Sequence, residues 1–153
     1  MRPVELRELL LIEILVRPPV ELGGGRRFIA FERGRFTGHG SLAGTTGTLL
    51  DGGVDWQTVR AADGVLDIDA HYALRTDEGE SIEVRSQGIR KASEAITQRI
   101  LKGEPVDPDT YYFRTHVRLS ASAARLEWLN HLLAVSTGER ERDTVRIHVH
   151  QVL

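Results

Sequence analysis

The sequence predicts a mainly β fold, a closed antiparallel barrel of about eight strands with one short α-helix, and three observations lead to this prediction. Short runs with β-type alternation recur about every ten residues along the 153-residue chain, the spacing of a sandwich or barrel. Turn residues separate these runs, so neighbours in sequence are expected to be neighbours in space. Closure of the sheet also removes the exposed edges that an open sheet must protect.

The composition is that of one globular domain, residues 1–153. The chain is 41% hydrophobic and 27% charged, and no run of proline, glycine or serine is long enough to be an interdomain linker. A formal net charge of −2 gives no basic field for nucleic acid or an anionic membrane, so neither is expected as a partner. Cysteine is absent, which excludes thiolate catalysis and cysteine-ligated zinc.

The apolar run from Leu9 to Val16 is interpreted as a buried strand. Glu13 interrupts it, and the run is too short to span a bilayer. We therefore expect a cytoplasmic protein.

Most strands are predicted before residue 90. They are expected at 6–16, 21–22, 27–36, 55–60, 65–76 and 80–86. Pro18 and Pro19 end the first strand, and residues 77–79 have the length and composition of a hairpin turn in which Gly79 supplies positive φ. The segment 37–53 holds six glycines, and two interpretations stay open: a mobile loop, or a strand bent sharply where the sheet closes.

One stretch, 93–102, has the features of a helix. Ser93 is a capping residue, Ile96 and Ile100 share one face, and Gly103 follows the last turn. Since a helix of this length is unstable alone, we expect it to dock across an open end of the barrel. The remaining strands are predicted at 111–119, 127–136 and 143–153.

Three motifs occur in a recognisable order: GGVDWQ at 52–57, YYFRT at 111–115 and WLN at 128–130. Together they make nearly the whole chain resemble the bacterial and fungal family called domain of unknown function 3237. The resemblance implies a lipocalin-like β-barrel and no particular activity. The chain departs from the family pattern at 36–51, where His39 lies in a longer, glycine- and threonine-rich segment, so the role of that loop is expected to differ.

The first motif supplies the leading candidates for chemistry. Asp55, Trp56 and Gln57 follow two glycines at the start of a strand, where an acid, an indole donor and an amide can meet a polar ligand at the barrel mouth. Burial would raise the pKa of Asp55 and make it a general base. The competing interpretation is structural, with Asp55 capping the turn and Trp56 filling the core.

The other two motifs raise the question of which strand face points inward. In 111–119 alternation separates Tyr112 and Arg114 from an apolar set. If the apolar set faces the core, Arg114 lies outside in an ion pair or subunit contact; if the interior is polar, Arg114 can bind a carboxylate or phenolate. Trp128 and Asn130 are either ligand contacts or structural anchors on a strand whose two apolar faces are both covered.

Two further strands carry candidates. In 65–76, Tyr72 faces inward with a hydroxyl group to satisfy, which makes it a possible donor in the pocket. His148 and His150 have the spacing to meet one metal ion with His116 as a third ligand, but the apolar alternate face turns the pair outward, and no metal site is expected. No nucleotide-binding or common hydrolase motif occurs, so no cofactor is expected.

Two functions remain open. In the first, the barrel binds a small, partly apolar organic molecule and performs cofactor-free isomerisation, dehydration or cyclisation. Its catalytic residues would be Asp55, Tyr72 and Arg114, and its ligand contacts Trp56, Gln57, Tyr112, Trp128 and Asn130. In the second, the chain is a noncatalytic binding or structural module, a homodimer or higher homo-oligomer paired through outer apolar faces. We therefore expect the site at the glycine-rich segment 38–57 and on the strands that carry these residues.

Overall fold

The computed structural model describes the whole chain, residues 1–153. The strands are β1 (Leu6–Val16), β2 (Val20–Gly23), β3 (Arg26–Gly38), β4 (Thr46–Leu49), β5 (Val54–Val59), β6 (Leu66–Thr76), β7 (Ser81–Lys91), β8 (Tyr112–Ser120), β9 (Ala134–Arg140) and β10 (Thr144–Val152). The α-helix is α1 (Glu94–Leu101), and short 3₁₀ helices occupy Gly40–Leu42, Pro108–Thr110 and Ala124–His131.

These ten strands fill eight positions of a closed antiparallel barrel. β1 and β2 lie one after the other along one side of β3, and β4 and β5 lie one after the other between β3 and β6. The ring closes because β1 pairs with both β3 and β10. The predicted fold class is confirmed.

One end of the barrel is filled by apolar side chains, and we call it the closed end. Its largest side chains are 0–2% exposed and come from strand ends and from two of the 3₁₀ helices: Leu9, Leu10, Phe36, Leu42, Leu74, Ile82, Leu126 and Leu129. Arg125 fastens the longest 3₁₀ helix there, since its guanidinium pairs with Glu78 and Glu80 and donates a hydrogen bond to Thr45. None of these eight side chains lines either of the two cavities described below.

The opposite end, which we call the open end, lies where β5, β7 and β9 finish. The helix α1 follows β7 at this end, with the Ser93 hydroxyl accepting a hydrogen bond from the Ile96 N–H. Ile100 is buried against the barrel, as the amphipathic pattern predicts. The prediction that this helix docks at an open end is confirmed by its place in the lining of the cavity there.

Several strand boundaries differ from the prediction. The segment expected as a strand at 127–136 forms the 3₁₀ helix Ala124–His131, and β9 begins at Ala134. Leu126 and Leu129 are both buried, and a spacing of three suits a 3₁₀ turn. The expected two-sided apolar strand is therefore absent, and with it the argument for pairing of outer faces.

The glycine-rich segment 37–53 resolves into ordered structure. β3 continues to Gly38, a 3₁₀ turn buries Leu42, and β4 follows, so the interpretation as one mobile loop is wrong. Gly38 pairs with Leu10 at the closed end, so the first part of the segment 38–57, which was expected to form the site, lies at the other end of the barrel. The hairpin turn at 77–79 is confirmed, with φ of +90° at Gly79.

None of the helices is long and apolar enough to cross a lipid bilayer.

Candidate functional site

The barrel interior holds a narrow cavity that opens into a wider one at the open end. Small inward side chains, including Ala70 and Ser86, leave the narrow cavity of about 40 Å³, which is room for a few water molecules. The wider cavity, which we call the mouth, has about 620 Å³ and is bordered by α1 and by Pro18 and Pro19. Five residues line both spaces: Val16, Ile29, Gln57, Arg90 and Arg140.

Asp55 lies in the wall of the narrow cavity, and its carboxyl group has a raised pKa. It points inward from β5, is 9% exposed, and accepts hydrogen bonds from Gln57 Nε2 at 2.6 Å and from the Asp69 N–H at 3.1 Å. Burial raises its pKa to about 6, although both hydrogen bonds and the charge of Arg90 act to lower it. At neutral pH the carboxylate is ionised and ready to accept a proton.

Gln57 connects Asp55 to the first of several arginines. Arg27 Nε donates to Gln57 Oε1 at 2.8 Å. Because a guanidinium only donates, the amide oxygen must face Arg27 and the NH₂ group must face Asp55. The orientation of the amide, and hence the second hydrogen bond of Asp55, is fixed by Arg27.

Tyr72 is the second polar group aimed into the narrow cavity. Its hydroxyl oxygen is buried and has no hydrogen-bond partner. Burial and the nearby charge of Asp55 raise the pKa of Tyr72 well above its usual value, so the hydroxyl group stays protonated and free to donate. Phe31 packs edge-on against its ring at a centroid distance of 5.3 Å.

Gly53 makes room for this aromatic pair. A Cβ at that position would lie 2.7 Å from the Phe31 ring and 2.8 Å from Tyr72 Cβ. The second glycine of the GGVDWQ motif thus leaves the space that Phe31 and Tyr72 occupy.

Arg90 and Arg140 line both cavities and lie where the narrow cavity meets the mouth. Burial lowers the pKa of Arg90 to about 10, helped by the like charges of Arg140 and Arg27, and burial also lowers the pKa of Arg140. Both remain cations at neutral pH. Arg140 Nη2 donates to the carbonyl oxygen of Arg142 at 3.1 Å, whereas the Arg90 guanidinium has no hydrogen-bond partner in the protein.

A chain of three hydroxyl groups crosses the inner wall. Ser86 Oγ lies 2.6 Å from Thr115 Oγ1, which lies 2.6 Å from Ser136 Oγ. Three hydroxyl groups form two hydrogen bonds, so one of their three protons is left to donate elsewhere. Ser86 and Thr115 line the narrow cavity, which makes this wall a potential donor to a bound ligand.

The structure brings together only part of the predicted site. Asp55, Gln57 and Tyr72 share the cavity wall. Trp56 lies on the outer surface, 43% exposed and packed against Phe28, because the residue after an inward Asp55 must face outward. The interpretation of Trp56 as a core residue or cavity contact is therefore wrong.

Tyr112 and Arg114 also lie outside, since the apolar set of β8 faces the core. Arg114 stacks over the Tyr112 ring at 5.2 Å and donates to the carbonyl oxygen of Phe113. Of the two orientations left open for Arg114, the structure has the outward one, remote from the cavity.

Trp128 and Asn130 lie on the 3₁₀ helix at the closed end. Asn130 accepts a hydrogen bond from the Ala121 N–H and donates to the carbonyl oxygens of Ala121 and Glu127. With every polar atom of its side chain occupied by backbone, Asn130 acts as an anchor of this helix.

The histidines show no metal-binding arrangement. His148 faces outward beside Glu139 at 3.4 Å, and no group of three potential ligands occurs.

The arginines of the site were missed from the sequence. Arg90 and Arg140 belong to the inward sets that include Ser86 and Ser136, but the predicted strands stopped at 86 and 136. Continuing the alternation by four residues in each strand would have found both.

Comparisons with known proteins agree with this architecture. A UPF0311 protein from Bradyrhizobium diazoefficiens is 37% identical over 130 residues, covering 85% of this chain and 82% of that protein. The crystal structure of a conserved protein of unknown function from Rhodopseudomonas palustris matches with a TM-score of 0.90 at 33% identity, over 100% of this chain and 99% of that one. A beta-barrel like protein from Acinetobacter baumannii matches with a TM-score of 0.82 at 30% identity, over 100% and 98%.

A more distant structure shares the fold alone. It is described as an enzyme from Penicillium herquei and matches with a TM-score of 0.70 at 20% identity, over 100% of this chain and 97% of that one. The model of the family described as protein of unknown function (DUF3237) matches residues 4–152. With the family model spanning nearly the whole barrel and relatives of this similarity, the chain belongs to the DUF3237 family.

Proposed function

We propose that this protein binds a small, partly apolar organic molecule at the open end of the barrel and carries out cofactor-free acid–base chemistry on it, of the isomerisation, dehydration or cyclisation type. The observation that carries the proposal is the pairing of Asp55 and Tyr72 in one cavity wall. One is a buried carboxylate, and the other is a buried hydroxyl group without a partner. A burial cost of this kind is unfavourable for stability and is typical of groups kept for a ligand.

The two groups suit proton abstraction next to a carbonyl group. Asp55 takes the proton from carbon, the electron pair moves onto the carbonyl oxygen, and the Tyr72 hydroxyl donates a hydrogen bond to the oxygen where negative charge develops. Return of the proton from Asp55 to a different carbon completes an isomerisation. Loss of a hydroxide leaving group as water, with the proton from Asp55, completes a dehydration.

The narrow cavity limits how much of the ligand enters. A space of about 40 Å³ takes only a few atoms, so the reacting group enters and the rest of the molecule stays in the mouth. The structural neighbour described as an enzyme is compatible with catalysis in this fold, though fold alone does not assign activity.

Solvent hydrogen exchange on a set of simple carbonyl compounds tests the proposal. A panel of enolisable ketones and unsaturated ketones, each with and without a carboxylate group, is incubated with the protein in D₂O and followed by proton NMR. The wild-type protein should accelerate exchange of the hydrogens next to the carbonyl group for at least one compound that binds. Asp55→Asn should abolish the acceleration, and Tyr72→Phe should reduce it about tenfold to a thousandfold.

A passive binding module would give a different result. The proton NMR signals of the compounds would broaden or shift on addition of protein. The rates of hydrogen exchange next to the carbonyl group would, however, be the same with the wild type and with Asp55→Asn. That outcome would overturn the acid–base proposal in favour of noncatalytic binding. Homo-oligomerisation remains a separate prediction, which light scattering at high protein concentration can test.

A further inference from the structure

We propose that the arginines at the open end form a binding site for a carboxylate group, so that the natural ligand is an organic monocarboxylate with its apolar part in the mouth. This inference rests on the proposed function and deepens it by naming the class of molecule that the same site takes.

Positive charge is concentrated around the mouth. A chain with a formal net charge of −2 places five arginines around the mouth, of which Arg17, Arg27 and Arg142 form the rim. Glu32 and Asp143 are the only acidic residues in that lining. A focused positive potential in a concave, partly apolar site favours an anion.

Arg90 makes no hydrogen bond within the protein that contributes to its pKa. Its side chain is partly buried, lines both cavities and lies near the like charges of Arg140 and Arg27. A guanidinium that is partly removed from water and has no acceptor gains from binding one. Since its five donors match the two oxygens of a carboxylate in a fork geometry, a ligand carboxylate is the group that would satisfy it.

The charges around the mouth nearly cancel. Its lining has five arginines, together with Glu32 and Asp143. Asp55 in the adjoining wall adds one negative charge, and Glu21 adds another through its ion pair with Arg27 at 3.8 Å. One positive charge is left uncompensated, and a single monoanion neutralises it, whereas a phosphate dianion would leave an excess of negative charge beside Asp55.

The mouth also has an apolar surface for the rest of the ligand. Pro18, Pro19, Ile100 and Leu101 give the mouth an apolar side next to the arginines. Leu101 is 58% exposed although it borders this cavity. Contact with the hydrocarbon part of a carboxylate would remove that apolar surface from water.

Binding measurements on matched compounds test the inference. The probes are straight-chain carboxylates from butyrate to octanoate and the series from phenylacetate to 4-phenylbutyrate, each compared with its neutral primary amide by calorimetry. Inorganic phosphate is the competing anion. At least one carboxylate should bind about tenfold to a hundredfold more tightly than its amide, and phosphate should bind more weakly than that carboxylate.

Substitutions locate the site. Arg90→Gln should remove most of the preference for carboxylate over amide, Arg140→Gln should reduce it, and Arg118→Gln, an exposed arginine on the outer face of β8, should leave it unchanged. Thermal unfolding of each variant shows whether it is folded. If all carboxylates bind no better than their amides, if phosphate is preferred, or if both cavity variants fold and retain the preference, the inference is wrong.

The outcome is separable from that of the proposed function. Asp55→Asn should lose catalysed exchange but keep the preference for carboxylate. Catalysed exchange with no such preference would overturn the carboxylate site and leave acid–base chemistry standing.

Discussion

Replacing Asp55 by asparagine should change the stability of the barrel in a way that depends on pH. The pKa of Asp55 is about 6 in the folded protein, against 3.8 for an aspartate in water. Because the folded state holds the proton more tightly, the stability is greatest below pH 3.8 and falls as the pH rises through 6. Each pKa difference of one corresponds to about 1.4 kcal/mol, so ionisation of Asp55 costs the folded state about 3 kcal/mol at neutral pH.

Asparagine avoids this cost but loses one hydrogen bond. Gln57 donates its NH₂ group to Asp55 Oδ2, whereas the Asp69 N–H donates to Oδ1. In asparagine one of these two positions is an NH₂ group, so one of the donors loses its acceptor. The lost bond costs about 1 kcal/mol at every pH. Asp55→Asn is therefore expected to be slightly less stable than wild type at pH 4, equal at about pH 4.5, and about 2 kcal/mol more stable at pH 7.

Urea denaturation at several pH values from 4 to 7.5 measures this difference. At each pH, the free energy of unfolding of the wild type is subtracted from that of the variant. This difference cancels the contributions of all the other titrating groups. Asp51→Asn, in the exposed turn before β5, controls for the loss of a negative charge. A difference that stays constant across this range would refute the claim that burial controls the ionisation of Asp55.

Three other outcomes follow from the structure. Leu126→Ala should cost about 2–5 kcal/mol because it opens a cavity at the closed end, while calorimetry should show unchanged ligand binding at the open end. Asn130→Ala removes three hydrogen bonds to backbone and should cost about 2–3 kcal/mol in urea denaturation, with exposed His131→Ala as the matched control. Catalysed hydrogen exchange should fall as the pH drops below about 6 because protonated Asp55 no longer accepts a proton; a rate that is flat from pH 5 to 8 would contradict this role.

The parts of the fold that could be predicted are those controlled by local chemistry. The turn at 77–79 needs a glycine with positive φ, and α1 needs a capping residue such as Ser93; both signals are visible in a few neighbouring residues. The alternation in β6 likewise placed Tyr72 on the inner face. Such features depend on periodicity and turn propensity, which the sequence carries directly.

The wrong predictions arose where tertiary packing decides the structure. The stretch 127–136, with apolar residues at both alternating sets of positions, resembles a strand covered on both faces, but the burial of Leu126 and Leu129 at a spacing of three favours a 3₁₀ turn. Only the presence of an apolar closed end to receive these side chains distinguishes the two structures. The sequence does not show that end before the strands are paired.

The site was found in part for a related reason. Asp55 and Tyr72 could be predicted as site residues because they are polar groups among inward residues that are mostly apolar. Arg90 and Arg140 lie at strand ends, where an arginine normally indicates solvent. They come together because β7 and β9 finish at the same end of the barrel. The net charge of −2 gives no sign of this local cluster of arginines.

The seam between β1 and β10 also governs how the barrel can be made. Leu6 pairs with Val152 and Leu15 with Thr144, so β1 keeps one edge unpaired during synthesis until a strand encoded more than a hundred residues later is available. Contacts of such long sequence separation form slowly, and an apolar strand with a free edge invites association with other chains in the meantime. Refolding yield should therefore fall with protein concentration, and a chain that ends before β10 should aggregate.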